Sequence, residues 1–292
     1  MLDFIMNLNA SGRKAKKLKF VLSSLKKRLN EKSVKYKFHC TRYPRHAVVL
    51  TEQLIKNGAT DIIVVGGDGT LHEVINGFCD FDKANLGLIP CGTGNDFANA
   101  LRLPKDPIKA LDLILDNEPT YTDFMQMPTV RGINIIGMGI DVDVLKRYAA
   151  LKKKTKFGYT RCLIKTLFKF DCTSFDAVID GKTKSCNSLI ACIANGVSYG
   201  GGLPICPVAD PTDGKLDFIT IDDVKGLKII GAFAKLKKGK ILSLKQASHT
   251  TTSDVIKIIP KTENYIVQVD GELYENIPFE VKIVSNTLKM YR

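Results

Sequence analysis

A chain of 292 residues can bury a substantial core and make two domains, and 45% hydrophobic with 25% charged residues is the composition of an ordinary globular protein. The net charge of +13 is not ordinary and implies attraction to a polyanion: nucleic acid, an anionic membrane or a phosphorylated substrate. Aromatics interleaved with basic residues are sparse and tryptophan is missing, which argues against a nucleic-acid groove. The eight cysteines form no Cys-x-x-Cys pair and have no histidine at zinc spacing, and Cys162 and Cys192 read as small core residues in a reducing cytoplasm.

In chain order, Leu2–Asn7 reads as a buried strand with no signal peptide before it, and Asn9-Ala10-Ser11-Gly12 as the turn that follows. Ala15, Leu18, Leu22, Leu25 and Leu29 mark one face of a helix that is lysine-rich on the other. Tyr36, Phe38 and Cys40 alternate as a second strand ending at Thr41, and a helix from about Ala47 to Asn57 stops at Gly58. Ile62 to Val65 is the β-branched run of a strand buried on both faces, halted by Gly66-Gly67. Thr70 and Glu73 stand at capping-box spacing, and Leu71, Val74, Ile75 and Phe78 give the stripe of a helix opening at Thr70. Leu86–Ile89 closes on Pro90-Cys91-Gly92-Thr93-Gly94-Asn95-Asp96. A short helix through Phe97 and Leu101 follows, then one faced by Ile108, Leu111 and Leu115. This alternation predicts a parallel sheet with helices on both faces and ligands at the carboxyl ends of its strands, where loops 7–12, 66–69 and 92–94 fall.

After Asp123 the texture changes. Ile133–Met138, Ala177–Asp180, Leu189–Ala194, Leu216–Ile221, Val255–Ile259, Ile266–Asp270 and Phe279–Val284 are short β-like runs, and Asp180-Gly181 and Asp270-Gly271 are hairpin signals. The expected fold class is therefore α/β: a nucleotide-binding domain with a parallel sheet over 1–124, then a mainly antiparallel β-sandwich over 125–292. Val142–Phe170 is the exception, a helical and strongly basic stretch. The longest uncharged stretch, Ser185 to Ala209, holds three consecutive glycines and two prolines and is no membrane span.

Gly66-Gly67-Asp68-Gly69-Thr70 places glycines and a helix N-terminus where backbone N–H groups favour an anion. Asp68 inside such a site would repel phosphate unless Mg²⁺ or water lies between them, so the loop is either a metal–nucleotide site or an Asp-Gly turn joining strand to helix.

Four motifs occur in order: Gly66 to Thr70; Gly92-Thr93-Gly94-Asn95-Asp96-Phe97-Ala98; Asn195-Gly196 through Tyr199-Gly200-Gly201-Gly202 and Pro207 to Asp213-Gly214-Lys215-Leu216-Asp217; and Asp270-Gly271-Glu272. Together they resemble the soluble bacterial diacylglycerol kinase family, which also contains related lipid kinases and the sphingosine and ceramide kinases. The likeness runs from Asn7 to about Glu272. It implies ATP phosphates over Asn7, Asn9, Ala10, Ser11 and Gly12, over Gly66, Gly67, Asp68, Gly69, Thr70, Leu71 and His72, and at Thr93, with Thr41 near the nucleotide. It implies a Mg²⁺–water network on Asp68, Asp96 and Asp123, and a structural Mg²⁺ on the Asp213 carboxylate with carbonyls of Asp210 and Lys215. It makes Glu272 the proton acceptor, with Asp68 the competing base. Read without the family, Asp96 is a helix N-cap, Asp123 a strand-end turn residue, Asp213-Gly214 a turn before strand 216–221 and Glu272 an exposed hairpin residue. Two residues depart from the pattern: Leu8 stands where proline is usual and His72 where asparagine is common. His72 is given no chemistry and is expected on a solvated surface.

The expected activity is ATP- and Mg²⁺-dependent phosphoryl transfer to a lipid hydroxyl, diacylglycerol first, with a sphingoid base or phosphatidylglycerol as other acceptors. NAD kinase resembles the chain at Gly66–Thr70 but carries an Asn-Glu loop where this chain has Gly94-Asn95-Asp96-Phe97. A nucleotide-sensing, non-catalytic membrane-surface protein is the alternative of another class, and nucleic-acid binding rests on charge alone. The expected location is cytoplasmic and peripheral to the inner membrane face. There the basic segment 146–169, Lys152-Lys153-Lys154 and Lys156 in particular, would meet anionic headgroups or simply be a solvated helix face. A homodimer is left open.

Overall fold

The computed structural model describes residues 1–7, 13–151, 155–167, 170–224 and 228–292, without the side chains of 13–17, 156 and 157. It divides into two compact units, Met1–Thr122 with Ser285–Arg292, and Asp123–Val284. The first boundary thus falls two residues before the one expected from texture, and the chain returns to its first unit for residues 285–292.

In the first unit, strands β1 (Leu2–Met6), β2 (Tyr36–Cys40), β3 (Asp61–Gly66) and β4 (Asn85–Pro90) alternate with helices α1 (Arg13–Glu31), α2 (His46–Lys56), α3 (Asp68–Gly77), α4 (Asp96–Ala100) and α5 (Pro107–Asp116). The sheet is parallel in the order β4-β3-β1-β2. Strands β1, β3 and β4 are covered on both faces, so their side chains read as nearly unbroken apolar runs, whereas β2, at the sheet edge, is only partly buried. Phe4, Met6, Ile63, Val65 and Ile89 meet Leu25 and Leu29 of α1 and Leu111 and Ile114 of α5. Ile5, Ile62 and Val64 are equally buried and alternate to the face against which α2 and α3 pack.

The capping box expected at Thr70 and Glu73 does not form. Helix α3 begins two residues earlier, at Asp68, with Gly67 as N-cap and no side-chain cap. Glu73 instead accepts from the backbone N–H groups of Arg45 (3.1 Å) and Ala47 (3.0 Å), satisfying the open N-terminus of α2. His72, expected at the surface, is buried.

The second unit takes the chain on through β5 (Thr120–Gln126, from Asp123), β6 (Arg131–Gly132), β7 (Ile135–Gly139), α6 (Ile140–Ala149), α7 (Lys156–Leu167), β8 (Thr173–Ile179), β9 (Lys182–Ala194), β10 (Leu216–Asp222), α8 (Lys228–Lys237), β11 (Ala247–Thr252), β12 (Ile256–Pro260), β13 (Ile266–Val269), β14 (Glu272–Glu275) and β15 (Glu280–Met290, to Val284). Strand pairing within this unit is antiparallel. The long β9 pairs with β8 through its first half and with β7 and β10 through its second. Its alternation sorts side chains between two cores. Ala191 and Ile193 join Ile136, Phe175, Phe218 and Val267 between strands, while Ile190 and Cys192 join Val144, Leu163, Ile229 and Leu236 under the helices. Both Asp-Gly pairs make the expected hairpins, with positive φ at Asp180 (50°), Gly181 (72°), Asp270 (52°) and Gly271 (93°), the signature of a type I′ turn.

Candidate active site

The strand order of the first unit decides where a ligand goes. From β1 the chain crosses to β2 on one side, and β3 and β4 lie on the other, so the order reverses between β1 and β3. The crevice beyond the carboxyl ends of these two strands is the position at which open α/β sheets bind ligands. Asn7 and the Gly66-Gly67 turn stand at those ends. Asn9, Ala10, Ser11, Gly12 and Leu8 lie outside the described residues.

Two glycine loops meet here. A Cβ on Gly67 would lie 2.8 Å from the Gly92 Cα, and one on Gly92 2.5 Å from the Gly67 Cα, so backbone lies against backbone and no side chain fits between. Cys91 N donates to Gly66 O at 2.7 Å, and Asn95, in the left-handed region (φ 56°), accepts from Gly92 N through Oδ1 at 2.8 Å. Asp68 clamps the assembly. Its Oδ2 accepts from Asn95 N (2.8 Å), and its Oδ1 from Asp96 N (2.8 Å) and Phe97 N (3.4 Å). Burial first, then the neighbouring Asp96 carboxylate, push Asp68 up to about 6, while the three amides pull it down. Asp68 and Asp96 are thus brought together, Asp96 buried and Asp68 half-buried. A carboxylate offers about four lone-pair sites, so Asp68 retains roughly one beyond its amides. That is room for a cation's water and a poor position for a base.

The crevice fits a nucleotide's phosphates. Its wall is bare backbone at the start of α3, and Thr41 holds a buried Oγ1 with no hydrogen-bond partner among the described residues, its own N donating to Met6 O at 2.9 Å. Gly66, Gly69, Thr70, Leu71 and His72 belong to the end of β3 and the first turns of α3, and Thr93 to the second loop. The paired acids fit a hydrated Mg²⁺.

In the second unit, the Asp270 carboxylate accepts from three successive amides, Ile133 (2.9 Å), Asn134 (2.8 Å) and Ile135 (3.1 Å). Gln268 Oε1 accepts from Gly271 N at 3.0 Å, and its amide reaches the buried Asp141, whose carboxyl is pushed up to about 7 chiefly by burial. These bonds fix the turn that presents Glu272, which is exposed at the start of β14. Sequence reasoning missed Gln268 and Asp141. The available signal was a lone amide inside the apolar Ile266–Val269 run.

Asp123, expected with the first domain, belongs to the second unit and is buried there. It holds the 210–215 loop: Asp123 N donates to Pro211 O at 2.8 Å and its Oδ2 accepts from Gly214 N at 2.7 Å. Asn195 of the third motif ties the same strand, donating from Nδ2 to Asp123 O (3.0 Å) and Ile133 O (2.7 Å). Asp213 is exposed, with Lys215 N donating to its Oδ1 at 3.0 Å. Asp210 O accepts from Asp213 N at 3.4 Å, so the three residues of the expected second metal site share one turn.

Beneath α6, α7 and α8 lies a cavity of about 50 Å³, lined by aliphatic and aromatic side chains that include Leu163, Leu167, Ile190, Ile221, Phe233 and Leu236. Of the basic segment, Lys146, Arg147, Arg161 and Lys165 are exposed. Lys152, Lys153, Lys154 and Lys169, and the side chain of Lys156, lie outside the described residues. Among the described residues no helix is long and apolar enough to cross a membrane.

Residues 2–127 match the diacylglycerol kinase catalytic domain, and residues 134–292 match the YegS C-terminal NAD kinase beta sandwich-like domain. The chain belongs to the diacylglycerol kinase family. Within it, the chain is 29% identical over 246 residues to a diacylglycerol kinase of Mycobacterium tuberculosis, covering 82% of this chain and 78% of that one. A Bacillus anthracis crystal structure described as a "putative diacylglycerol kinase" superposes with a TM-score of 0.80 at 21% identity, over 99% of this chain and 96% of that one. An Archaeoglobus fulgidus NAD kinase solved with ATP shares the fold more distantly, with a TM-score of 0.55 at 14% identity, over 100% and 94% of the two chains. These matches establish a kinase family fold with an α/β domain and a β-sandwich.

Proposed function

We propose that this kinase is an ATP- and Mg²⁺-dependent lipid kinase that phosphorylates the hydroxyl of diacylglycerol to give phosphatidate. One pairing of features carries the reading: an anion-binding glycine crevice in one unit and a wholly apolar cavity in the other. The apolar lining suits an acyl chain and not a polar or nucleotide acceptor, and at about 50 Å³ the cavity has to widen between its helices to admit one. Mg²⁺, when bound, neutralises phosphate charge during transfer. Asp68 and Asp96 would hold it through water, and Asp213 with the carbonyls of Asp210 and Lys215 would hold a structural ion. The backbone of residues 66–70 binds the phosphates, and Thr41 offers its buried hydroxyl to the nucleotide. The Glu272 carboxylate accepts the hydroxyl proton, because Asp68 already accepts three hydrogen bonds. Lys146, Arg147, Arg161 and Lys165, with the exposed Ile164 of α7, dock the protein on anionic phospholipid at about 1 kcal/mol per charge.

The test is incubation of pure protein with labelled ATP, Mg²⁺ and a panel of lipids. Label in phosphatidate supports the reading. Label only in NADP, sphingoid base or phosphatidylglycerol phosphate replaces the acceptor, and no Mg²⁺-dependent label in any of them sinks it.

A further inference from the structure

One group of side chains, separate from the nucleotide crevice and the apolar cavity, has the composition of a transition-metal site. Ligand atoms of Cys206, Asp217 and His249 all lie within 4.8 Å of one another. They come from three stretches of chain, the loop between β9 and β10, β10 itself and β11, which is why Cys–His spacing in the sequence gives no zinc signal.

The ladder sets two of them. Asp217 faces Thr251 and Ile219 faces His249 in the β10–β11 register, so Asp217 and His249 are diagonal neighbours on one side of the pair. His249 Nε2 lies 2.6 Å from Asp217 Oδ1, and Thr251 Oγ1 donates to the same oxygen at 2.9 Å. The third is set by its own loop, where Cys206 N donates to Val197 O (3.1 Å) and Cys206 O accepts from Ala209 N (3.2 Å). Cys206 and Asp217 are buried, whereas the His249 side chain is 29% exposed and gives an ion a way in.

We propose that Cys206, Asp217 and His249 bind one transition-metal ion of the Zn²⁺ class, with water in the fourth position, fastening the loop before β10 to the β10–β11 pair. Sulfur, nitrogen and oxygen in one set suit borderline-soft Zn²⁺ or Co²⁺ and not Mg²⁺, which distinguishes this site from the all-oxygen Asp213 turn. Ligand atoms around tetrahedral zinc stand roughly 3.3–3.8 Å apart for bonds of about 2.0–2.3 Å, so side-chain rotation must open the 2.6 Å His249–Asp217 pair and can close spacings of up to 4.8 Å. On binding, the thiol proton goes to solvent and the thiolate pair forms the metal–sulfur bond. The imidazole keeps one proton, on Nδ1, and turns the Nε2 lone pair to the ion. Thr251 supplies the outer hydrogen bond that orients a ligating carboxylate.

The test uses the full-length protein, stripped with chelator, reduced, and titrated with Co²⁺. The expected result is a thiolate-to-cobalt charge-transfer band that saturates at one equivalent and is bleached by Zn²⁺, with Zn²⁺ raising Tm. Cys206→Ser should remove the band, and His249→Gln should weaken Co²⁺ affinity by at least about tenfold. Replacing the exposed Cys40 and Cys79 by serine should leave the band in place, because these are the thiols open to adventitious binding. A wild type without the band overturns the proposal. So does a band that survives Cys206→Ser or disappears with Cys40 and Cys79. If Cys206→Ser, fully buried, does not fold by circular dichroism, the partly exposed His249→Gln decides: unchanged affinity overturns the site and the expected loss upholds it.

Discussion

Asp68 in the first unit and Asp270 in the second do the same work in different settings. Each precedes a glycine, and each carboxylate gathers three consecutive backbone N–H groups from a segment distant in sequence, residues 95–97 in one case and 133–135 in the other. Asp68 opens a helix, is desolvated and has an acidic neighbour. Asp270 sits at φ 52° in a tight hairpin. The products differ too. The first clamp presses two glycine loops together, so that main chain is what a ligand meets. The second presents a side chain, Glu272. A motif aspartate can thus be a fastener whose value lies in what it fastens, and the clamps separate by experiment into one that shapes backbone and one that aims a carboxylate.

The largest effect is expected at Asp68. A carboxylate that only placed charge would leave the fold intact when removed, but this one would leave three amides without an acceptor. Asp68→Ala should lower kcat by about 10²–10³-fold and also lower stability by at least about 1–3 kcal/mol, measured by turnover and denaturant melts. A variant that loses activity with an unchanged melt would show that the clamp is not structural. Glu272→Gln comes next: about a hundredfold loss of kcat, unchanged KM for ATP and unchanged Tm, since its exposed side chain fastens nothing. Normal turnover would make it a hairpin residue only. Asp270→Ala should show the converse balance, a stability loss of about 1–3 kcal/mol with a smaller fall in kcat through a loosened Glu272, read from kcat in the folded fraction.

The smallest effect is a pH dependence. The folded protein holds Asp68 at about 6, above the 3.8 of an unperturbed carboxyl, so it binds that proton more tightly than the unfolded chain does. The contribution of this group to stability is therefore full below pH 3.8 and is lost as pH rises through about 6. The gap in Tm between wild type and Asp68→Asn should narrow across that interval. Activity should run the other way and fall below about pH 6, as the neutral carboxyl loses its hold on a cation.

Strands β3 and β4 were legible because burial on both faces demands unbroken runs such as Ile62–Val65, and the edge strand β2 because Tyr36, Phe38 and Cys40 alternate. The two hairpins were legible because Asp-Gly accepts positive φ at both central positions. What failed to show locally depends on partners far along the chain. Glu73 has capping-box spacing from Thr70, yet its oxygens go to α2, and nothing within residues 66–78 marks that choice. The same holds for Asp68, which reads as a lone acid until residues 95–97 are folded onto it. Helix α8 escaped notice because its Ile229, Ile230 and Gly231 are poor helix formers, and packing of Ile229 and Leu236 supplies what propensity does not. Cys206 and His249 illustrate the same limit.

The return of residues 285–292 to the first unit has a consequence for how the protein is made. Met290 of β15 pairs beside Leu86 at the open edge of β4, Tyr291 N donates to Leu86 O at 3.0 Å, and its hydroxyl donates to Asp61 Oδ1 at 2.6 Å. During synthesis, β4 emerges long before this partner exists, and its free edge is a template for pairing with other chains. The nucleotide half, although translated first, is finished last. A nascent chain stalled before residue 285 should accordingly be more prone to protease and aggregation in its amino-terminal half than the released protein.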